Sequence, residues 1–258
     1  MESTMEGFIK FFGTGGARFV VSKQLRATGG LWFHYKDTNL YIDPGPGALV
    51  RINTSDEVFN PAHLDGIILT HKHVDHTNDV NVLIEAMTEG GFKKRGILFC
   101  PEDAIQEDPV VLKFARNYLD GIQFLKEKRY YILKDIPFTV PVRHIHPVET
   151  YGIIFDLNPR IGLLTDTRFF DTLPEHYRVD CLIVNVLRLK PVGQQYIIDH
   201  LSVQDFIEVV TEVKPEVAIM THFGMNIIEE GPEMLAERLQ KETGIRIIAA
   251  YDGMKWEF

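Results

Sequence analysis

The sequence predicts an α/β protein: a four-layer αββα sandwich, two packed mixed β-sheets with helices outside. Three observations carry that prediction. Short apolar runs alternate with turn signals from one end of the chain to the other. Strands with helices are followed by more strands with helices, as two α/β halves packed sheet on sheet require. No low-complexity linker and no internal repeat divides the chain, so residues 1–258 read as one domain.

The elements follow in order. Leu31–Tyr35 and Leu40–Ile42 flank Lys36-Asp37-Thr38-Asn39, a hairpin turn, and Asp43-Pro44-Gly45-Pro46-Gly47 breaks the second strand. Gly66–Thr70 is an apolar strand of the fully buried kind. From Asp79 to Thr88 the apolar residues Val80, Leu83, Ile84 and Met87 keep helical spacing, closed by Gly90-Gly91. Arg95–Cys100 is the next strand, and Val110–Leu119 reads as a helix with Gly121 as its C-cap. In the second half, Tyr130–Leu133 turns into a strand over Phe138–His146. Tyr151–Phe155 and Ile161–Thr165 form a hairpin around Asn158-Pro159, and Leu182–Val184 is a buried strand. Ser202 and Asp205 have capping-box spacing for a helix running to about Val213. Val217–Met220 is apolar strand, Pro232 opens a helix ending before Gly244, and Asp252-Gly253 signals a hairpin within Ile245–Phe258.

Composition removes several classes. The 258 residues are 45% hydrophobic and 24% charged, which excludes a disordered chain. A chain of this length buries roughly three quarters of its unfolded surface and needs no disulfide staples. Its two cysteines, Cys100 and Cys181, border apolar runs and read as packed thiols. No apolar run reaches the roughly 18–20 residues of a membrane span. The opening Met1–Gly7 lacks the pattern of a signal peptide, so the chain reads as cytoplasmic. The net charge of −9 argues against broad binding of nucleic acid, where Lys and Arg must neutralise phosphates.

Chemistry concentrates in Thr70-His71-Lys72-His73-Val74-Asp75-His76. His71 and His73 are two apart, so an extended backbone points both the same way. Asp75 and His76 fall where the chain turns into a helix and can aim at a second point. Three apolar runs end in Thr followed by a potential ligand: Thr70-His71, Thr165-Asp166 and Thr221-His222. A fourth strand is expected to end in His144-Ile145-His146. Open α/β sheets place sites at the carboxyl ends of strands, so these residues are expected at one rim. His71, His73 and His146 make one donor set; Asp75, His76 and His222 make another; Asp166 can bridge them. Imidazole with carboxylate suits Zn, Fe, Mn or Co. Two metals about 3.5–4 Å apart can hold a hydroxide and stabilise both attacking and leaving oxygens.

These motifs resemble the metallo-β-lactamase superfamily, and within it the ribonuclease Z and cyclic-phosphodiesterase branch. The resemblance rests on Asp43 in Tyr41-Ile42-Asp43-Pro44-Gly45, the His71–His76 run, His146, Asp166 and His222, and it covers nearly the whole chain. It implies the αββα fold, a hydrolase, and two divalent ions, zinc first with manganese or iron as alternatives. It implies that Asp43 orients the ligands without binding metal. Asp199-His200-Leu201-Ser202 is similar to the motif whose His moves a proton near the leaving group, which makes His200 the candidate general acid. The chain departs from ribonuclease Z at Asn78-Asp79, where that enzyme usually has Gly-Leu. Only 19 residues separate His146 from Asp166, the interval where many ribonucleases Z carry a tRNA-gripping arm.

Other candidates stay open. Phe12-Gly13-Thr14-Gly15-Gly16-Ala17-Arg18 lacks the Lys of a P-loop and precedes no clear helix. It reads as a turn; the resemblance implies that such a loop can line the site, with Arg18 on an anionic group. Arg168 and Arg188 are candidate clamps for phosphate or carboxylate, and His144 is a candidate support for its neighbour His146. His34, His63 and His176 show no constellation.

The expected function is metal-dependent hydrolysis, with a small phosphodiester preferred over an acyl substrate such as a lactone or thioester. A metal-containing sensor with little turnover is the alternative of another class. A flavodiiron oxygen reductase ranks low, because that group usually has Glu where this chain has His73. Two divalent ions would outweigh Asp75, Asp166 and a hydroxide, so the −9 charge is compatible with a small anionic substrate while opposing a long nucleic acid. No membrane partner is expected, and the sequence leaves a homo-oligomer open.

Overall fold

A computed structural model describes residues 6–106, 108–191 and 198–258. Met1–Met5, part of the segment read for a signal peptide, lie outside the described residues. The first sheet runs in the order Lys255–Glu257, Gly7–Gly13, Thr28–Tyr35, Thr38–Ile42, Gly66–Ile68, Ile97–Cys100, Gly121–Phe124. Its pairings are antiparallel as far as Thr38–Ile42 and parallel beyond it. The second sheet runs Arg246–Ala249, Val217–Thr221, Cys181–Arg188, Ile161–Leu164, Ile153–Phe155, Ile136–Thr139, Tyr130–Leu133, with Leu201–Ser202 added beside Cys181–Arg188. Here the first four strands are parallel and the rest antiparallel.

Three apolar clusters define the four layers. Between the sheets lie Phe33, Phe99, Phe138 and Phe155, with the Phe33 and Phe155 rings stacked at 4.3 Å. Outside the first sheet, Ile67 and Leu69 meet Leu83, Ile84 and Met87 of the helix Val80–Met87. Outside the second, Val184 and Met220 meet Phe206 and Val210 of the helix Val203–Val213 and Leu235 of the helix Pro232–Thr243. The side-chain period of two explains the apolar runs: Ile68 packs between the sheets while Ile67 and Leu69 pack under helices.

The capping box forms as its spacing requires: Ser202 Oγ accepts from Asp205 N, and Asp205 Oδ2 accepts from Ser202 N at 2.7 Å. Five elements differ from expectation, two of them through long-range bonds. The expected helix Val110–Leu119 shrinks to Lys113–Arg116 because the Asn81 amide donates to Val110 O (2.9 Å) and accepts from Leu112 N (2.8 Å). Gly121 opens a strand instead of capping that helix. The strand expected to reach His146 stops at Thr139, since Pro141 offers no N–H to continue a ladder. Asp252-Gly253 joins strands of different sheets. The Asp252 carboxylate takes Thr14 N (2.9 Å) and Ala27 N (2.7 Å) from the first sheet's loops, drawing the chain across. The Gly-rich loop does lead into a helix, Ala17–Lys23, which starts with no side-chain cap and so carries no start signal.

Replacing Ser202 by Ala should cost about 1 kcal/mol of unfolding free energy, as for other N-caps. Denaturant unfolding measures this directly, and an unchanged midpoint would show that the box contributes nothing.

Candidate metal centre

The candidate residues converge where the parallel strands Gly66–Ile68, Ile161–Leu164 and Val217–Thr221 end. Asp43 organises the first of these ends. Its Oδ1 accepts from Thr70 N at 2.7 Å, and its Oδ2 accepts from Thr70 Oγ1 at 2.6 Å and lies 2.9 Å from His76 Nδ1. Both oxygens therefore have partners on the His71–His76 loop, and Asp43 also groups with His71 and His76 as a possible donor set. The same bonds assign ring tautomers. His76 Nδ1 donates to Asp43, which leaves Nε2 facing the site. The Thr70 hydroxyl hydrogen goes to Asp43, so at 3.1 Å Thr70 Oγ1 accepts from His71 Nδ1. His71 Nε2 is then buried without a hydrogen-bond partner. His146 Nδ1 donates to Asp199 O at 2.9 Å and presents Nε2 likewise.

Two triads result. The donor atoms of His71, His73 and His146 lie within 4.8 Å of one another, as do those of Asp75, His76 and His222. His73 Nδ1 stands 2.9 Å from His146 Nε2, and His76 Nε2 stands 3.1 Å from His222 Nε2. Asp75 Oδ2 is 3.5 Å from that same His222 atom. Asp166 spans the triads, its Oδ2 3.6 Å from His71 Nε2 and 3.4 Å from His76 Nε2. Tetrahedral ligands at ordinary zinc bond lengths stand about 3.3 Å apart, so these separations fit divalent metal. The orphaned His71 Nε2 fits it too, because a buried acceptor without a partner is costly.

The charges fit as well. Burial holds the His71, His73 and His146 rings below the ordinary imidazole range, His146 down to about 4, so each ring favours the neutral form that a metal ligand needs. Burial opposes a proton on His76, yet the carboxylates of Asp75, Asp43 and Asp166 overcome it and raise that ring well above 6.5. In the protein alone, that proton balances the clustered carboxylates.

A family model described as the Beta-lactamase superfamily domain matches residues 38–223. The uncharacterized protein MJ1374 of Methanocaldococcus jannaschii is 33% identical over 259 residues, 96% of this chain and 94% of that protein. The chain belongs to the metallo-β-lactamase superfamily. Its fold is also that of the superfamily's solved structures. The metallo-β-lactamase fold protein YhfI from Bacillus subtilis superposes with a TM-score of 0.79 at 20% identity, covering 98% of this chain and 99% of that one. A diphosphatase from the PhnP family superposes with a TM-score of 0.70 at 22% identity, covering 98% and 97%.

The remaining candidates divide. His200 comes closer to the donor cluster than a rim position requires: its Nδ1 is 3.6 Å from Asp166 Oδ1, and it groups with His146 and Asp166. Arg168 and Arg188 find partners in the loop that carries His200. Arg168 Nε lies 3.3 Å from Asp199 Oδ1, and Arg188 Nη2 donates to His200 O. His144 lies fully inside, bonded to Asp166 O and Tyr177. Arg18 is exposed on the Ala17–Lys23 helix, whose first N–H reaches Asp75 Oδ2 at 3.3 Å. The Gly-rich loop is more than a turn. Phe223 N donates to Thr14 O at 2.8 Å, and a Cβ at Gly16 would collide with the His222 ring.

Sequence reasoning missed Asn185. Its amide donates to Asp166 Oδ1 at 2.9 Å and to Thr165 Oγ1 at 3.3 Å. The available signal was one amide inside the apolar run Cys181–Leu187.

Asp43→Ala should cost about 1–3 kcal/mol for each buried donor it leaves unpaired. Denaturant unfolding of metal-free protein reads the loss; wild-type stability would show that Asp43 is only a turn residue.

Proposed function

We propose that this chain is a hydrolase dependent on two divalent ions, zinc first, acting on a small phosphodiester. The observation that carries the reading is Asp166 placed between two donor triads with His200 beside it. His71, His73 and His146 would hold one ion, Asp75, His76 and His222 the other, and Asp166 both. When bound, such ions would supply Lewis acidity to an oxygen on the phosphorus under attack and bring the acidity of water into the neutral range.

The chain's own residues do the rest. In the protein alone, burial works against a proton on His200 but Asp166, 3.6 Å from Nδ1, more than offsets it and raises the ring's pKa. An imidazole at that place is the proposed proton donor to a leaving oxygen. Arg188 and Arg168 hold the His200 loop in register. Arg18, exposed and one residue from the Ala17 N–H that reaches Asp75, is the proposed cation for the anionic group. The net charge of −9 repels a long polyanion but leaves a small anion access to a cationic pocket. The PhnP-family diphosphatase, a protein of the same fold, supports phosphoryl chemistry over acyl chemistry. Among the described residues no helix is long and apolar enough to cross a membrane.

Metal analysis of purified protein should find close to two ions per chain, and activity on bis-p-nitrophenyl phosphate should vanish on chelation. Activity that survives full metal removal sinks the proposal; turnover of lactones or thioesters alone sinks its substrate class. His200→Ala should lower kcat by about a hundredfold or more with metal content intact. Loss of metal instead would make His200 a ligand. Asp166→Ala should weaken both sites together, and loss of one ion alone would make Asp166 terminal.

A further inference from the structure

Two buried side chains outside the donor triads converge on Asp166 from behind. His144 is 3% exposed and Tyr177 is fully buried. His144 Nδ1 lies 3.2 Å from the carbonyl oxygen of Asp166, and His144 Nε2 lies 2.7 Å from Tyr177 Oη. A carbonyl only accepts, so Nδ1 carries hydrogen, and Nε2 of the neutral ring accepts from the Tyr177 hydroxyl. The chain makes room for this pair at Gly152, where a Cβ would collide with Tyr177 Oη and crowd His144 Nε2.

The need for such a bond follows from position. Asp166 stands beyond the last ladder residue of the strand Ile161–Leu164, so no strand partner takes its carbonyl. The segments on either side are laced together as well: Arg168 N donates to Ile145 O at 3.0 Å, and Ile145 N donates to Thr167 Oγ1 at 3.1 Å. His146 and Asp166 are thereby held as one unit.

We infer that Tyr177 and His144 are positioning residues that fix the Asp166 backbone, and with it the carboxylate shared by the two donor triads. The inference rests on the metal-hydrolase reading and deepens it. Tyr177 orders the ring, the ring orders the carbonyl, and Asn185 at 2.9 Å orders Asp166 Oδ1. Backbone and side chain are then both constrained, which limits the carboxylate to one setting between the triads.

The test is zinc affinity, measured by competition with a chelator on the full chain. His144→Phe keeps a ring but removes both bonds and should weaken zinc binding about ten- to a hundredfold, the usual effect of losing an outer support. Tyr177→Phe should lose about tenfold, and it carries the test if His144→Phe does not fold. His144→Asn, whose amide restores a donor near Nδ1, should recover most of the loss. A purely structural role predicts otherwise: zinc affinity in the Phe variants equal to wild type, or no recovery in His144→Asn, overturns the inference. Wild-type protein that binds no zinc overturns the underlying reading, which is a different outcome from wild-type zinc binding that the variants share.

Discussion

The Asp43 carboxylate is the point on which the rest of the site hangs. It closes the strand Thr38–Ile42, yet it reaches the end of the neighbouring Gly66–Ile68 strand, where it takes two bonds from Thr70 and one from His76. Those three bonds set the start of the His71–His76 loop, its end, and the tautomers of two rings. Asp43 achieves this in the left-handed region, at φ 52°, and His222 on the far side of the site sits at φ 60°. Such backbone costs roughly 1–3 kcal/mol per residue and persists only where surrounding bonds over-determine it. At Asp43 they do. At His222, the pairing of Phe223 with the Gly-rich loop serves the same end.

What was legible in the sequence is what local chemistry decides. Ser202 and Asp205 cap the helix they were expected to cap, because a capping box needs only residues three apart. Strand ends at Thr70, Thr165 and Thr221 were visible because a run buried on both faces is apolar at every position until it meets the site. What was hidden depends on partners distant in the chain. Asn81 unwinds the expected helix at Val110, and Asp252 pulls the last strand into the opposite sheet. His144 alternates with His146 just as a strand residue would. Pro141 was a local stop signal that sequence reasoning missed; only the structure shows that the two rings serve different faces of one loop.

The arginines teach the same point about charge. Arg168 and Arg188 follow strand ends and resemble clamps for an anion. In the fold their guanidinium groups turn to the Asp199–His200 loop, where an aspartate and a carbonyl lie within reach. They therefore lend no free positive charge to the pocket. What the pocket does hold is clustered imidazoles and carboxylates, a donor set that a divalent cation would satisfy.

That cluster also bears on stability. His71 Nε2 is a buried acceptor with no hydrogen-bond partner, and burial and the neighbouring Asp166 both work against the charge on Asp75, which the His76 and His222 rings hold in place. Without an ion, the folded chain carries these costs against a net stability that is small for any domain. The donors come from both sheets: His71, His73, Asp75 and His76 from the first, His146, Asp166 and His222 from the second. An ion held by such a set ties the two halves together across the upper edge of their shared core, and its binding free energy adds to folding. The chemistry of the rim and the cohesion of the sandwich are thus one problem, solved by the same residues.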